Sequence, residues 1–454
     1  MSDKVKVLVR NPYDFLRETK NDIHKIARNP KMSLHPFAHD REYVRAMNVS
    51  KIERMNSKPF IRSLNGTLDD VQVISTDCAN ASLAAFGTSD GRIQYWNISS
   101  DLKLSDFKAH DGIISGVSHF DGGNFLTCGY DKVINHWDFS NKSDNEMWDK
   151  KPTPVNSFPI ENVPQSLSAQ LHDQHIAVGT SECVLVYKSG VSNCEVYTSF
   201  GQKEKESFHY VKFNPTETDI FCGLTSSNKI NIYDIRQSEV SAQLKLTHKS
   251  NSMSFNPFYP FFFTTCSADY NLYTFDLRYF KSPVKMHTGH GQSVSDVSYS
   301  NRGREFVSCS VDKTIRIFNK DDSISREIYT AKRMMRVLTV RYTYDDTYIL
   351  SSSSDHNVRL WKANAAEKLG PKTPREKASL LDAQKLREKY GCNPDVRKIQ
   401  NRRIIPHKIK TLNNESRIMK QKQNRKERNI IANSKPGTVE KQAKFMKPVS
   451  DNQS

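Results

Sequence analysis

A short pattern recurs along the middle of the 454-residue chain. Each copy has an apolar run, a turn that often contains aspartate, and an alternating run that ends in an aromatic residue. The clearest pair is FLTCGYDKVINHWD (125–138) and FVSCSVDKTIRIFN (306–319). The closing aromatics are Trp96, Trp137, Tyr187, Tyr233, Phe275, Phe318 and Trp361. Alternation with a period of two is typical of half-buried strands, so each copy predicts paired β-strands.

The seven copies are separated by 41, 50, 46, 42, 43 and 43 residues. A period of about 40–45 residues is typical of WD repeats, in which each repeat forms one four-stranded blade of a β-propeller. We therefore predict an all-β, seven-bladed propeller over residues 60–362. An array of blades leaves its terminal edges unpaired unless the ring closes. FIRSL (60–64) precedes the first blade and is the predicted closing strand.

Histidines and aspartates in two of the repeats suggest buried hydrogen-bonded sets rather than catalytic pairs. In WD blades a histidine, a strand serine or threonine, the turn aspartate and the closing tryptophan bond to one another. The predicted sets are His110 with Thr127, Asp131 and Trp137, and His290 with Ser308 and Asp312. A catalytic role for these pairs is the alternative, and we expect the structural one.

The net charge of +17 is unevenly distributed. Residues 1–59 hold 13 Lys/Arg and 7 Asp/Glu, residues 60–362 hold 31 and 34, and residues 363–454 hold 23 and 9. Both arms are therefore basic while the body is nearly neutral. This asymmetry favours polyanionic partners for the arms. The predicted domains are an N-terminal basic arm with one helix (1–59), the propeller (60–362), a basic helical domain (363–447) and a disordered tail (448–454).

The helix predicted in the N-terminal arm is DREYVRAMNVSKIERMNS. Its Tyr43, Val44, Met47 and Ile52 form a stripe that offers a docking face for a partner. Packing of this stripe on the chain's own folded part is the commoner arrangement, and it is the alternative here.

The C-terminal arm is helical in outline. TPREKASLLDAQKLREKYG places Thr373 at an N-cap, Pro374 at the first helical position, Glu376 in a capping box and Gly391 at the end. A second helix is expected to begin at Asn393. The stretch from Pro406 has few apolar residues, so it must lie against a partner or remain mobile.

Within this arm, residues 401–430 carry 10 Lys/Arg against only two acids, Glu415 and Glu427. A solvated helix face is one interpretation of such a charge run. The shortage of matching acids favours phosphate binding, because neutralising phosphates releases counterions. A nuclear import signal at KQKQNRKER is compatible with this interpretation. The predicted RNA-binding residues are Arg402, Arg403, His407, Lys408, Lys410, Lys420, Lys422, Arg425, Lys426 and Arg428.

Other classes of protein find little support. No run of 18 apolar residues is present, and the first residues lack the apolar core of a secretory signal, so we expect neither a membrane span nor secretion. The eight cysteines form no CxxC pair, and GxxxxGK[ST], GxSxG and HExxH are absent. We therefore predict a protein that is not an enzyme, with no cofactor, no metal site and no small-molecule substrate.

Motifs on both sides of the repeats resemble one family closely. They are LVRNPYDFLRETK, LHPF, REYVRAMN and KPF before the propeller, REIYTAKRM and DHNVRLWKANAAEKLG at the last blade, and TPREKA, KLREKY, RRIIPHKIK and SKPGTV after it. Over nearly its whole length the chain resembles the suppressor-of-fibrillarin family of WD-repeat proteins. Blade 1 departs from the usual pattern, since Asn65-Gly66-Thr67 stands where Gly-His is typical, and blade 3 lacks the turn aspartate.

The resemblance implies a nuclear, nucleolar component of the small-subunit processome, with pre-ribosomal RNA, box C/D small nucleolar ribonucleoprotein and other processome proteins as partners. It also implies an alternative, because animal members are described as substrate receptors of cullin-RING ubiquitin ligases. The associated motif is an aromatic-Asp-x-Arg box, and its candidate adaptor contacts here are Asp234, Arg236, Asp276 and Arg278. A generic nuclear scaffold without RNA contact is the third hypothesis.

Overall fold

The structure is a computed structural model. It describes residues 37–121, 124–139, 152–170, 175–189, 194–201, 206–237, 239–403, 405–435, 438 and 447–450. Part of the predicted N-terminal arm, residues 1–36, lies outside this range. The predicted disordered tail is described only at residues 448–450. Within the described part, no helix is both long and apolar enough to cross a membrane.

Seven four-stranded antiparallel sheets form the blades, as the repeat predicts. One short strand, β1 (Phe60–Leu64), precedes them. Blade 1 comprises β2 (Val71–Thr76), β3 (Leu83–Thr88), β4 (Arg92–Asn97) and β5 (Leu102–Lys108). Blade 2 comprises β6 (Ile114–Asp121), β7 (Asn124–Gly129), β8 (Val133–Asp138) and β9 (Asn156–Pro159). Blade 3 comprises β10 (Pro164–Ala169), β11 (His175–Thr180), β12 (Val184–Ser189) and β13 (Cys194–Phe200). Blade 4 comprises β14 (Phe208–Phe213), β15 (Ile220–Thr225), β16 (Lys229–Asp234) and β17 (Val240–Lys245). Blade 5 comprises β18 (Ser250–Phe255), β19 (Phe262–Ser267), β20 (Leu272–Asp276) and β21 (Lys285–His287). Blade 6 comprises β22 (Val294–Tyr299), β23 (Glu305–Ser310), β24 (Ile315–Asn319) and β25 (Glu327–Tyr329). Blade 7 comprises β26 (Val337–Tyr342), β27 (Tyr348–Ser353) and β28 (Asn357–Lys362), with β1 as its fourth strand.

The first strands of the blades form the inner wall of a closed ring. Each packs against the first strand of the next blade, and β26 packs against β2 to complete the circle. The hydrophobic core lies between neighbouring blades rather than within any one of them. Ile93 and Tyr95 of blade 1, for example, share one buried cluster with Ile114, Phe125 and Trp137 of blade 2. Each blade is therefore stabilised mainly by its neighbours.

The predicted closing strand is confirmed. β1 pairs antiparallel with β28, so the fourth strand of blade 7 comes from the other end of the repeat region. Leu64 lies opposite Val358 in this pairing and is 2% exposed. The Phe60 ring meets the Trp361 ring edge-on, with centroids 5.4 Å apart. The pairing removes the open edge that β28 would otherwise present.

Within the residues that the structure describes, four α-helices flank the propeller sequence: α1 (Ala38–Asn56), α2 (Pro374–Tyr390), α3 (Pro394–Gln400) and α4 (His407–Asn433). The start of α2 confirms the predicted capping box, because Thr373 accepts from the Glu376 amide and Glu376 accepts from the Thr373 amide. Gly391 caps its C-terminus, as predicted. The next helix begins at Pro394, one residue after the expected Asn393.

The chain divides into two compact units. One combines Met1–Ile52 with Lys372–Gln400, and the other combines Glu53–Pro371 with Asn401–Ser454. These limits cut the basic C-terminal arm near its middle. The domain limits given above from composition stay a prediction.

The first unit has a small core of its own, in which Tyr390 and Val396 pack with Ala46. Tyr43 donates to Asp395 at 3.0 Å. The stripe on α1 is thus partly used within this unit, because Tyr43 and Met47 pack against its core. The other two members of the stripe, Val44 and Ile52, are exposed.

Candidate nucleic-acid interface

Helix α4 lies on the propeller within the second unit. Its residues are mostly good helix formers such as Lys, Arg, Gln and Glu, and Pro406 immediately precedes it. Ile409 is 6% exposed. The helix lies close to Gly291. A Cβ atom added to this glycine would be only 2.7 Å from Asn413 Oδ1. Further along, Lys420 Nζ donates to Asn271 Oδ1 at 3.3 Å. These contacts fix which side of α4 faces the blades.

The chain beyond α4 returns to the propeller at residues 447–450, which we call the C-terminal strap. Val449 forms an isolated antiparallel bridge with Leu246 and is buried in the cluster between blades 4 and 5. The Thr247 amide donates to the Pro448 carbonyl at 2.9 Å, and the Ser450 amide donates to the Lys245 carbonyl at 3.1 Å. The strap and α4 are therefore both part of the propeller unit.

A face of α4 that adjoins its propeller-facing side carries a row of exposed polar side chains. Their spacing of three or four residues places them on one helix face. This outer stripe consists of Lys410, Asn414, Arg417, Gln421, Arg425 and Arg428. Lys408, Lys422 and Lys426 are also exposed, on another side of the helix. Among the described residues, no acidic group forms an ion pair with any cation of the outer stripe, so its positive charge is available to a ligand.

The structure separates the predicted RNA-binding residues into two groups. Eight of the ten are exposed without a described protein contact from the charged group: Arg402, His407, Lys408, Lys410, Lys422, Arg425, Lys426 and Arg428. Lys420 is exposed but is directed to Asn271. Arg403 is half-buried, and burial lowers the pKa of its guanidinium while the nearby Glu327 carboxylate opposes this. Arg403 is therefore placed to hold the segment on the propeller.

Arg417 belongs to the outer stripe but was not among the predicted site residues. It lies between the two basic clusters of the sequence and follows an acid, Glu415, so it joined neither cluster. Its spacing of seven residues from Lys410 was the signal that would have identified it. Once α4 is known to be continuous, this spacing places both side chains on one face.

The candidate ligase-adaptor residues lie at the ends of β16 and β20: Asp234 and Asp276 are the last residues of these strands, and Arg236 and Arg278 follow in the connections. Arg236 pairs with Asp219 and its amide donates to Asp234 at 3.0 Å. Arg278 pairs with Asp276 at 3.0 Å, and its guanidinium lies 4.8 Å from the centre of the Phe261 ring. The hydrogen bond from Arg278 helps hold the pKa of Asp276 low against the opposing effect of burial. Both arginines thus pair within their own blades.

Exposure nevertheless leaves both arginines accessible. The side chain of Arg236 is 73% exposed and that of Arg278 is 61% exposed. A surface ion pair of this kind contributes little to stability, so either side chain can exchange its partner at small cost. The arrangement is compatible with a structural role and with binding of another protein.

The predicted histidine sets are confirmed. In blade 2, His110 Nδ1 lies 2.9 Å from Asp131, its Nε2 lies 2.8 Å from Thr127, and Trp137 donates to the same threonine at 3.0 Å. In blade 6, His290 lies 2.7 Å from Ser308 and 3.3 Å from Asp312.

Burial lowers the pKa of both rings despite the neighbouring carboxylates. His290 is 5% exposed and His110 is 2% exposed. Neither ring is open to a substrate, so these sets serve the blades.

The centre of the ring is a polar cavity of about 700 Å³ lined by the first strands. Arg341 of blade 7 pairs with Asp296 of blade 6 at 3.2 Å and donates to the Tyr210 hydroxyl of blade 4 at 3.3 Å. Burial lowers the pKa of Lys212, which also lines the cavity, to about 8. These contacts tie several blades together across the channel.

One group in the described part of the chain could hold a metal ion: Asp69, Asp70 and His356, whose ligand atoms lie within 4.8 Å of one another. His356 Nδ1 lies 3.1 Å from Asp70, and its side chain is 51% exposed. A surface contact between the ring and the two carboxylates accounts for this arrangement.

Comparisons with known proteins agree with this architecture. A family described as "Sof1-like domain" matches residues 363–449, which cover α2, α3, α4 and most of the strap. The WD domain, G-beta repeat family matches residues 102–138, 281–319 and 328–362. A protein of Danio rerio named "DDB1- and CUL4-associated factor 13" is 38% identical over 96% of both chains. The chain belongs to the Sof1 family. This confirms the suppressor-of-fibrillarin resemblance seen in the sequence.

Further relatives and a solved structure are similar over large parts of the chain. The Homo sapiens "DDB1- and CUL4-associated factor 13" is 39% identical to this chain over 439 residues. "Protein SOF1" of Saccharomyces cerevisiae is 33% identical over 90% of this chain and 86% of its own length. The "Crystal structure of WD40 beta propeller domain of Doa1" covers 67% of this chain and 96% of its own, with a TM-score of 0.53 and 19% identity. That likeness confirms the propeller fold.

Proposed function

We propose that this chain is a non-enzymatic ribosome-assembly factor of the small-subunit processome, required for pre-rRNA processing in the nucleolus. In this proposal the propeller is a scaffold for processome proteins, including box C/D small nucleolar ribonucleoprotein. Helix α4 provides the contact with pre-ribosomal RNA. Membership of the Sof1 family supports the processome assignment, and the exposed cations of α4 support the RNA contact.

The observation that carries the RNA contact is the two-sided nature of α4. Ile409 and Asn413 face the propeller, while Lys410, Arg417 and Arg425 are exposed. A cationic face held on a folded support is ready to neutralise phosphates without first folding the segment that carries it. Affinity from such contacts falls as salt rises, because each neutralised phosphate releases counterions.

Ultraviolet crosslinking in cells tests this proposal. The full-length tagged chain replaces the cell's own copy, and the crosslinked RNA is sequenced. We expect enrichment of the small-subunit rRNA precursor, with peptides of α4 carrying the crosslink. Recovery of the chain without enriched RNA would contradict the proposal and favour a scaffold with no RNA contact.

The second candidate is a substrate receptor of a cullin-RING ubiquitin ligase. The relatives from Danio rerio and Homo sapiens are named as factors associated with DDB1 and CUL4. The exposed Arg236 and Arg278, each following an Asp-x step after a blade strand, are the residues that would contact the adaptor. Purification of the full-length chain followed by identification of bound proteins distinguishes the two candidates.

A further inference from the structure

The outer stripe of α4 contains amides as well as cations. Asn414 and Gln421 alternate with Lys410, Arg417 and Arg425 along the exposed face. An amide offers both hydrogen-bond donors and an acceptor, whereas lysine and arginine only donate. Phosphate neutralisation needs only the cations. The amides therefore add the ability to bind a neutral group that both donates and accepts.

Aromatic residues are missing from this part of the sequence. After Tyr390, the next Phe, Trp or Tyr is Phe445. Proteins that bind single-stranded RNA stack its bases on aromatic side chains, which supply much of the affinity. Neither α4 nor its immediate neighbours in the chain contain Phe, Trp or Tyr, so base stacking there is restricted to the His407 ring and the arginine guanidinium planes. The composition of the stripe thus argues against unpaired bases as its ligand.

Helix α4 is continuous from His407 to Asn433, so the outer stripe is long. Asn413 lies close to Gly291 of the propeller, and Lys420 near the middle of the helix donates to Asn271. The stripe runs from Lys410 to Arg428, a length of about 27 Å at 1.5 Å per residue. An extended row of this length suits a regular ligand that presents phosphates along an edge.

We propose that the outer stripe binds double-helical RNA along its minor groove, an inference that rests on the proposed function of α4. The four cations contact phosphates on the groove edges, and Asn414 and Gln421 bond to 2′-hydroxyls. The minor groove of an RNA duplex is wide and shallow and displays these hydroxyls, which both donate and accept. The stripe recognises the shape of a duplex and its ribose, with little discrimination between base sequences.

Binding of three nucleic acids by the full-length chain tests the proposal. The probes are a 20-base-pair RNA duplex, a DNA duplex of the same sequence and an unstructured RNA strand of equal length, compared at one salt concentration. We expect the RNA duplex to bind most tightly. A second RNA duplex of scrambled sequence is expected to bind within about twofold of the first.

Two sets of substitutions separate the amides from the cations. Asn414→Ala with Gln421→Ala is expected to weaken binding of the RNA duplex about tenfold, because two neutral hydrogen bonds are removed, and to leave binding of the DNA duplex unchanged. Gln423→Ala, an exposed amide outside the outer stripe, is the matched control and is expected to leave both affinities unchanged.

Replacing the four cations with Gln is expected to weaken binding of both duplexes. It should also flatten the salt dependence by about 0.9 for each phosphate that is no longer neutralised.

Two outcomes overturn the inference while leaving RNA binding in place. They are tighter binding of the unstructured strand than of the duplex, and equal affinities for the RNA and DNA duplexes. A third outcome, in which none of the nucleic acids binds, contradicts both this inference and the RNA contact proposed above.

Discussion

Lys420 of α4 donates to the side-chain oxygen of Asn271 in blade 5, at 3.3 Å. This single bond, together with the burial of Ile409, sets the rotation of the helix on the propeller. Lys422, two residues further on, is consequently exposed and is directed away from that contact. Two lysines that look equivalent in the sequence thus have different roles, one in docking the helix and one available to a polyanion.

The buried set in blade 6 makes a stability prediction for Asp312→Ala. The carboxylate accepts from the Gly291 amide at 2.9 Å and from the Thr314 amide at 3.0 Å. Removing it leaves buried donors without an acceptor, so we expect a loss of about 1–3 kcal/mol in the free energy of unfolding. Asp90→Ala, at the equivalent but exposed turn position of blade 1, is the control and should cost less than about 0.5 kcal/mol. A normal melting temperature for Asp312→Ala would contradict the buried-network interpretation.

Buried histidines predict a loss of stability in mild acid. Burial lowers the pKa of His119 to about 3 and those of His209 and His287 to about 4. Between these values and the ordinary pKa near 6.5, the unfolded chain binds more protons than the folded chain, so stability rises with pH across that range. Lowering the pH from 7 to 5 should therefore cost about 1–2 kcal/mol for each ring.

Urea unfolding at pH 7 and pH 5 measures this effect. His287→Gln should reduce the difference between the two pH values, because one titrating ring is removed. The exposed His248→Gln should leave the difference unchanged. A free energy of unfolding that is flat between pH 7 and 5 is incompatible with neutral buried rings.

Ring closure predicts unequal effects at two adjacent residues of β1. Leu64 is 2% exposed and packs in the cluster that joins blades 7 and 1, whereas Ser63 contributes only a hydrogen bond near the surface. Leu64→Ala should cost about 2–4 kcal/mol, since it leaves a cavity at the seam of the ring. Ser63→Ala should be close to neutral. Equal melting temperatures for the two variants would show that β1 does not close the propeller in solution.

Substitution of Arg236 and Arg278 by Ala tests the ligase alternative. Because both ion pairs are exposed, the double variant should lose no more than about 1 kcal/mol of stability. We expect it to abolish binding of a ligase adaptor if these boxes are used, and to leave growth and rRNA processing intact. Loss of rRNA processing in a folded double variant would reverse our ranking of the two functions.

The sequence was sufficient to predict the propeller because its strands alternate and its period is regular. It even located β1, since an open edge at β28 requires a partner. The sequence did not predict the orientation of α4, because this helix docks partly through polar residues such as Asn413 and Lys420 rather than through an apolar stripe. The strap was also missed: Val449 packs beside Leu246, and no local pattern links residues so far apart in the chain.

The proposed function assigns rRNA maturation to the exposed cations of α4. Its most direct test replaces Lys410, Arg417, Arg425 and Arg428 with Gln in the cell's only copy, with an added import signal that ensures nuclear entry. The control carries an equal charge change at exposed propeller positions: Lys249, Lys281, Lys332 and Arg333 to Gln. We predict that the α4 variant accumulates unprocessed small-subunit rRNA precursor while the control matures it normally. Normal maturation in the folded, nuclear α4 variant would contradict the account.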